Sequence, residues 1–202
     1  MGPNAKGCWV GVDVGARRKG FHVAVSSERA IERLVNFARP LEVVELLAAH
    51  RPAVVAVDGP RSFAKPGARS RADERELAAA LACGIRFTPS EEDVRSHRGA
   101  YYGWVLNGLE LYGALEAASA EHGWRVIECF PTASFTVLGG RRGAATRAAW
   151  SASVLAELAI EGLPAVTSQD ERDAIMAAIT ARAYDRGRVT TFGEIVVATA
   201  TA

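Results

Sequence analysis

Cysteines are few and long apolar runs are missing in this 202-residue sequence. Its three cysteines, Cys8, Cys83 and Cys129, lie far apart and form no C-x-x-C pair, which argues against a zinc ribbon and against a disulfide framework. No run of about 18 apolar residues is present, and the N-terminal residues lack the apolar core of a signal peptide. The sequence therefore predicts a soluble cytoplasmic protein with reduced thiols and no membrane partner.

An excess of charge of either sign is also missing, because the formal net charge is +1. This value neither argues for a surface that is basic overall nor excludes a local basic patch. Hydrophobic residues make up 49% of the sequence, which at this length is enough to bury a core. We expect one domain over residues 1–202, with a basic and helical insertion at about residues 61–122.

Two apolar segments each end near an aspartate that has a glycine one or two residues after it. G-C-W-V-G-V-D-V-G at Gly7–Gly15 is typical of a buried strand that ends near Asp13, and A-V-V-A-V-D-G-P repeats the design up to Asp58. An aspartate at such a position is a turn cap as readily as a site residue. A buried carboxylate, however, needs a counter-charge, hydrogen-bond donors or a metal.

Further acidic residues lie later in the chain. A helix predicted over Ser168–Tyr184 carries Asp170 and Asp173 on one face, although acidic residues also favour the first turn of a helix for electrostatic reasons alone. Glu128 lies late in the strand W-R-V-I-E-C-F. We expect it to face the Asp13 cleft as a catalytic or metal-orienting group, with solvent exposure or pairing to an arginine as the alternatives.

Clustered carboxylates repel one another unless they bind cations, and hard oxygen ligands favour Mg²⁺ or Mn²⁺ over zinc. Two such ions about 4 Å apart are the machinery of in-line phosphodiester hydrolysis. Phosphate contacts are predicted in two glycine-containing segments, one after Asp58 and one with the sequence G-G-R-R-G, although a solvated loop is the plain alternative. The predicted phosphate ligands are Arg61, Lys65, Arg69, Arg71, Arg141 and Arg142.

The predicted order of elements is three strands, a helix, a strand, helices, a strand and helices. Three antiparallel strands followed by parallel ones give an α/β fold with a mixed sheet and helices on both faces. Aromatic and leucine side chains at helical spacing over Tyr101–His122 are typical of a core helix, which would also suit a homodimer contact. The other predicted helices are Pro40–His50, Arg71–Cys83 and Thr146–Ile160, and the tail from Arg188 is expected to add an edge strand or to stay loose.

Two motifs resemble the ribonuclease H superfamily, and in particular Holliday-junction resolvases of the RuvC kind. They are G-V-D-V-G at 11–15 and D-E-R-D-A-I-M-A-A-I-T at 170–180. Over roughly residues 8–185 the chain is more similar still to a domain-of-unknown-function family of predicted nucleases with the ribonuclease H fold. The motifs that match this family are A-V-D-G-P-R-S-F at 56–63, R-A-D-E-R-E-L at 71–77 and E-C-F-P-T-A-S-F at 128–135.

The resemblance implies a metal-dependent nuclease with two Mg or Mn ions and a nucleic-acid partner. It makes Asp13 the ligand that bridges both ions, Asp58 the second-strand ligand and Asp173 the helix ligand, with Asp170 beside it. The resolvases place a glutamate where this chain places Asp58, and a shorter side chain there would shift an ion.

Two other classes of function stay open at this point. A nucleic-acid- or protein-binding module would keep the fold with little catalysis, and the near-neutral charge suits it. A phosphotransferase of the actin and sugar-kinase type would share the fold and the D-x-G strand end at Asp13, but those proteins need two such domains around the nucleotide.

Overall fold

Apolar residues dominate the first strand of the chain because both of its faces are covered. In the computed structural model, which describes residues 7–98 and 100–199, this strand lies inside a seven-stranded sheet. The strands are β1 (Trp9–Val14), β2 (Phe21–Ser26), β3 (Ile31–Phe37), β4 (Val54–Asp58), β5 (Arg125–Cys129), β6 (Val189–Phe192) and β7 (Ile195–Ala198). The helices are α1 (Pro40–His50), α2 (Ala72–Leu81), α3 (Glu91–Ser96), α4 (Gly103–His122), α5 (Pro131–Gly139), α6 (Arg147–Glu157) and α7 (Gln169–Asp185).

The strand order is β3-β2-β1-β4-β5-β7-β6. Strands β1, β2 and β3 are antiparallel neighbours, and β4 and β5 continue the sheet parallel to β1. Strand β7 is parallel to β5, and β6 pairs with β7 in the antiparallel direction. The predicted mixed sheet, with three antiparallel strands followed by parallel ones, is confirmed.

Successive side chains of β1 point to two faces of the sheet that are covered by different helices. Val10, Val12 and Val14 belong to a core cluster that includes Leu47 of α1 and Leu115 of α4. The opposite face packs on α7, where Trp9 contributes to a cluster with alanines of that helix. Asp13 is four residues after Trp9 in the same strand, so its side chain points to the same face, which packs on α7.

Gly11 lets the backbone of α7 approach β1 directly. A Cβ atom at Gly11 would lie 2.1 Å from the backbone nitrogen of Ala178 and 2.2 Å from the carbonyl oxygen of Ala174. Every residue of α7 from Arg172 to Ala181 is buried, so this helix is a central element and not a surface one. The contact fixes the depth of α7 against the strand that carries Asp13.

The long helices match their predictions closely. Pro40 is the first residue of α1, and the Ser168 side chain caps α7. In α4 the residues Leu111, Tyr112 and Leu115 are buried, so the aromatic and leucine stripe is core, as predicted. A dimer contact along α4 stays a prediction. Among the described residues, no helix combines the length and the apolar character that a membrane span requires.

Three segments differ from the sequence-based expectation. Helix α5 begins at Pro131, where we expected only the end of a strand, because proline suits the first position of a helix, which has no hydrogen bond to lose. Helix α3 lies in a polar segment for which no helix was predicted. The Ser90 side chain caps it by accepting a hydrogen bond from the backbone N–H of Asp93. The tail forms the β6–β7 hairpin, and β7 is inserted beside β5 with all four residues buried.

Candidate metal centre

Two carboxylates lie side by side where β1 and β4 end. The two strands are parallel, and their register pairs Asp13 directly with Asp58. Val54 and Ala56 of β4 belong to the core cluster on the α7 face, so the alternation of the strand puts Asp58 on the same face as Asp13. The repeated pattern of an apolar run, an aspartate and a glycine therefore delivers two carboxylates to one point of the sheet.

Helix α7 supplies the third carboxylate. Asp173 is 3% exposed, and the carboxylates of Asp13, Asp58 and Asp173 each have an oxygen within 4.8 Å of the other two. Two side chains hold Asp173 in place, since Gln169 Nε2 donates to its Oδ1 at 3.0 Å and Arg147 Nη2 donates to its Oδ2 at 2.8 Å. The structure thus brings together the three residues predicted as metal ligands.

Burial and mutual repulsion make this cluster electrostatically costly without a cation. Burial raises the pKa of Asp13 to about 8, and the charges of Asp173 and Asp170 add to the rise. The pKa of Asp58 is raised well above its ordinary value, by burial first and then by Asp13 and Asp173. Burial also raises the pKa of Asp173, while Arg147 opposes the rise. Hard oxygen donors in this number and spacing fit Mg²⁺ or Mn²⁺.

A second group of possible ligands shares Asp13 with the first. Atoms of Asp13, His22 and Asp170 lie within 4.8 Å of one another, and Lys19 Nζ donates to Asp170 Oδ2 at 2.7 Å. A single carboxylate that belongs to two adjacent groups is the arrangement a pair of ions requires. Asp170, predicted beside Asp173, therefore lies next to the three-aspartate cluster and not inside it.

His22 enters this second group from β2, where it is the cross-strand partner of Asp13. Asn36 Nδ2 donates to the Lys19 carbonyl at 2.9 Å and lies 3.2 Å from His22 Nε2, so Nε2 acts as the acceptor. In a neutral ring the proton then sits on Nδ1, which is buried without a hydrogen-bond partner, 3.9 Å from Asp13 Oδ2. His22 Nδ1 thus faces Asp13 beyond hydrogen-bond distance, and in this tautomer it has no free lone pair for a metal.

Glu128 lies outside the carboxylate cluster. The residue of β5 in register with Asp58 is Cys129, so alternation sends the Glu128 side chain to the opposite face of the sheet. There Arg71 Nη1 donates to both carboxylate oxygens, at 2.8 and 2.9 Å, and the Arg61 backbone N–H donates at 3.0 Å. Burial raises the pKa of Glu128 to about 7, and Arg71 opposes that rise. The structure shows the pairing with an arginine, and Glu128 also forms part of the wall of the cavity that the three aspartates line.

The residues predicted to contact phosphate fall into two groups. Arg71 is buried against Glu128 and is not free to meet a ligand, and the Arg61 guanidinium pairs with Glu116 at 2.6 Å. The remaining four are exposed: Lys65, Arg69, Arg141 and Arg142.

Arg147 was not predicted as a site residue, although its position in the first turn of a helix is unfavourable for a basic side chain. A basic residue in the first turn of α6 opposes the helix dipole and so indicates a specific partner, which is Asp173. Together with Lys19 and Arg86 it provides the positive charge in a cavity of about 660 Å³ that the three aspartates also line. We call this cavity the carboxylate cleft.

Comparisons with known proteins show the fold to which this site belongs. Two solved structures from Thermus thermophilus are similar, each at 17% identity over 89% of this chain. One is a RuvC structure with a TM-score of 0.50 and 96% of its chain covered, and the other is RuvC in complex with a Holliday junction substrate, with a TM-score of 0.55 and 95% covered. This likeness shows the ribonuclease H-like fold and confirms the predicted fold class.

No protein among those with curated functions matches the chain. The model of one protein family does match, over residues 11–196. These residues run from β1, before Asp13, to β7, beyond Asp173, so the match includes every element that supplies the carboxylate cleft. The chain belongs to the family described as protein of unknown function (DUF429).

Proposed function

We propose that the protein is a metal-dependent nuclease that hydrolyses phosphodiester bonds with two Mg or Mn ions. The observation that carries this proposal is the convergence of Asp13, Asp58 and Asp173 at the end of two parallel strands. Bound divalent ions would supply Lewis acidity and an activated water for attack on phosphorus. The similarity to a RuvC structure solved with a Holliday junction supports nucleic acid as the substrate.

Each residue of the cleft has a separate task in this proposal. Asp58 and Asp173 would hold one ion and Asp170 the other, and Asp13, which belongs to both ligand groups, would contribute to both. His22 lies beside the Asp13 carboxylate, with Nδ1 3.9 Å from Oδ2, and would restrict its orientation by this contact. Lys19 and Arg147, which line the cleft at its edges, would steady the phosphate oxygens.

A binding module without strong catalysis is the second candidate. The contact that favours it is the one between Arg147 and Asp173, because a guanidinium already neutralises a carboxylate that an ion would need. An ion has to displace or share this partner. Metal binding and cleavage therefore have to be measured separately.

The test compares wild type with Asp13→Asn and Asp58→Asn, which keep the shape of the side chain but lose its charge. We expect wild type to bind Mn²⁺ in a calorimetric titration and to cleave at least one of a panel of single-stranded, duplex and junction DNA and RNA. Both variants should lose at least about 10³-fold in cleavage and most of the Mn²⁺ affinity.

Glu45→Gln is the matched control, because it removes one negative charge from the exposed face of α1 and should change neither quantity. Wild type that binds nucleic acid and Mn²⁺ without cleaving any member of the panel would favour the binding module. Cleavage that survives in both aspartate variants would rule out the proposed site.

A further inference from the structure

A second cavity of about 410 Å³ adjoins the carboxylate cleft. The two cavities share the lining residues Gly84, Thr132 and Arg147, so they are neighbours on either side of these residues. The second cavity also contains Arg141 and Arg142, and none of its lining residues is acidic. We call it the arginine pocket.

Two of the three arginines in the arginine pocket have no carboxylate partner in the part of the chain that the structure describes. Within residues 7–98 and 100–199, neither Arg141 nor Arg142 makes an ion pair, and the only carboxylate that Arg147 contacts, Asp173, belongs to the neighbouring cleft. Guanidinium groups that share a concave surface repel one another unless an anion lies between them.

The loop that carries the two arginines is anchored to the fold. Trp150 Nε1 donates to the Gly140 carbonyl at 3.1 Å, which ties the loop to α6. Just before it, Gly139 packs so closely on Val154 that a Cβ atom there would lie 2.2 Å from a Val154 methyl carbon. Arg141 and Arg142 are therefore presented from a held backbone, although their side chains are exposed.

We propose that the arginine pocket is a second phosphate subsite, which binds the phosphate next to the scissile one on the same strand. The proposal rests on the nuclease function of the carboxylate cleft. Arginine is suited to this task because its fork of N–H donors matches phosphate oxygens in pairs. Since Arg147 lines both cavities, it lies between the two phosphates of the bound strand.

A preference between substrates follows from this arrangement. A phosphodiester without neighbouring phosphates reaches only the carboxylate cleft, whereas an oligonucleotide occupies both cavities. The energy of binding the second phosphate is then available to place the first one correctly. The enzyme should consequently act on polynucleotide chains far better than on isolated diesters.

The experiment compares the double variant Arg141→Gln/Arg142→Gln with the double variant Arg29→Gln/Arg33→Gln. Both pairs of arginines are exposed and both changes remove two positive charges, but Arg29 and Arg33 lie at the β2–β3 turn and on β3, near the other end of the sheet. The probes are a single-stranded 12-mer and bis(4-nitrophenyl) phosphate, which has one phosphodiester and no neighbour. Both are assayed with Mn²⁺.

We expect the Arg141/Arg142 variant to lose about 10-fold or more in kcat/KM on the 12-mer while its rate on the small diester stays within about 2-fold of wild type. In EDTA, where nothing is cleaved, binding of the 12-mer should show a shallower salt dependence, by about 0.7 in slope for each phosphate that the variant no longer binds. The Arg29/Arg33 variant should behave as wild type in both assays.

Equal losses on both probes, no loss on either, or the same loss in the Arg29/Arg33 variant would overturn the subsite. The nuclease proposal fails separately, if wild type cleaves neither probe nor any other nucleic acid. In that event the salt dependence of 12-mer binding in EDTA still tests the subsite. A shallower slope in the Arg141/Arg142 variant supports the phosphate subsite, and an unchanged slope refutes it.

Discussion

Arg147 is the residue that an ion bound at Asp173 would displace most directly. Its guanidinium lies on Asp173 Oδ2 at 2.8 Å and on Thr132 Oγ1 at 3.2 Å, so it occupies the place of a counter-cation beside the cluster. The Asp173 side chain is 4% exposed, while that of Arg147 is 47% exposed. The arginine can therefore leave toward solvent when an ion arrives, but the carboxylate cannot.

Arg147→Gln should tighten Mn²⁺ binding, because it removes a cation that competes for Asp173. We expect a gain of about 3- to 10-fold, kept small because the guanidinium is half exposed and screened by solvent. Isothermal titration calorimetry measures it, with Arg33→Gln on β3 as the control for the loss of one charge. Unchanged or weaker Mn²⁺ binding would show that Arg147 does not compete with the ion.

At the scale of elements, Glu128 acts on the connector between β4 and α2. It binds the Arg61 backbone at the start of this connector and the Arg71 side chain at its end, and Tyr112 of α4 donates to the Gly59 carbonyl at 3.1 Å. These contacts hold in place the connector that carries Lys65. We therefore interpret Glu128 as a structural residue that holds both ends of this connector.

Glu128→Gln should therefore destabilise the fold without changing the metal site. Arg71 would keep a buried charge without its full partner, and breaking a buried ion pair costs about 3 kcal/mol. Urea unfolding gives the stability, and Mn²⁺ titration of the folded variant gives the affinity, which should stay within about 2-fold of wild type. A loss of Mn²⁺ affinity of about 10-fold or more would restore Glu128 to the metal site.

The contact between β1 and α7 gives a second prediction at this scale. Gly11→Ala places a methyl group against the α7 backbone, which has no flexible side chain to move aside, and should cost about 3 kcal/mol or more. Gly113→Ala is its counterpart, because a Cβ at this exposed position of α4 meets nothing within 4 Å and should stabilise by up to about 1 kcal/mol. Thermal unfolding of both variants tests the pair. Equal effects of the two changes would mean that α7 is not held at the depth we describe.

For the whole molecule, the carboxylate cluster links folding stability to pH. In the folded, metal-free protein the pKa of Asp13 is about 8, whereas in the unfolded chain it is near its ordinary value of about 4. The native state therefore holds a proton that the unfolded chain has lost between these values. The stability that Asp13 contributes to the folded state is fully present below about pH 4 and falls as pH rises to about 8.

We accordingly expect wild type in EDTA to lose stability between pH 5 and pH 8, by up to about 1.4 kcal/mol per pH unit for each such proton. Asp13→Asn should be more stable than wild type at pH 8 and should show a smaller decline. Saturating Mn²⁺ should remove the decline in wild type, since it binds the ionised form. Urea unfolding at pH 5, 6.5 and 8 measures all three, and a wild-type stability in EDTA that rises with pH would contradict the assignment.

Much of this architecture follows from local patterns. Strands with buried faces and helices with caps can be recognised one at a time, which is why β1, α1 and α7 were predicted nearly to the residue. The pairing of Asp13 with Asp58 also follows, because parallel strands that end alike bring their last residues together. Short elements such as α3 and β7 depend on the surface they pack against, and no local pattern reveals that surface.

The partners of the site residues were harder to foresee. Glu128 shares its strand-end position with the aspartates, but its face depends on the register of β5 against β4, which places Cys129 opposite Asp58. A shift of one residue reverses the face of every side chain in a strand. Arg147 and His22 meet their aspartates only through contacts between distant parts of the chain.

The distribution of the cleft along the chain has a consequence for protein synthesis. Asp13 and Asp58 leave the ribosome before α7, which carries Asp173 and follows six other helices of the described residues. Until α7 emerges, the Gly11 face of β1 lacks its cover and two aspartates stand without a third ligand. On the proposed function, a growing chain that still lacks α7 would carry an incomplete metal centre and would be inactive.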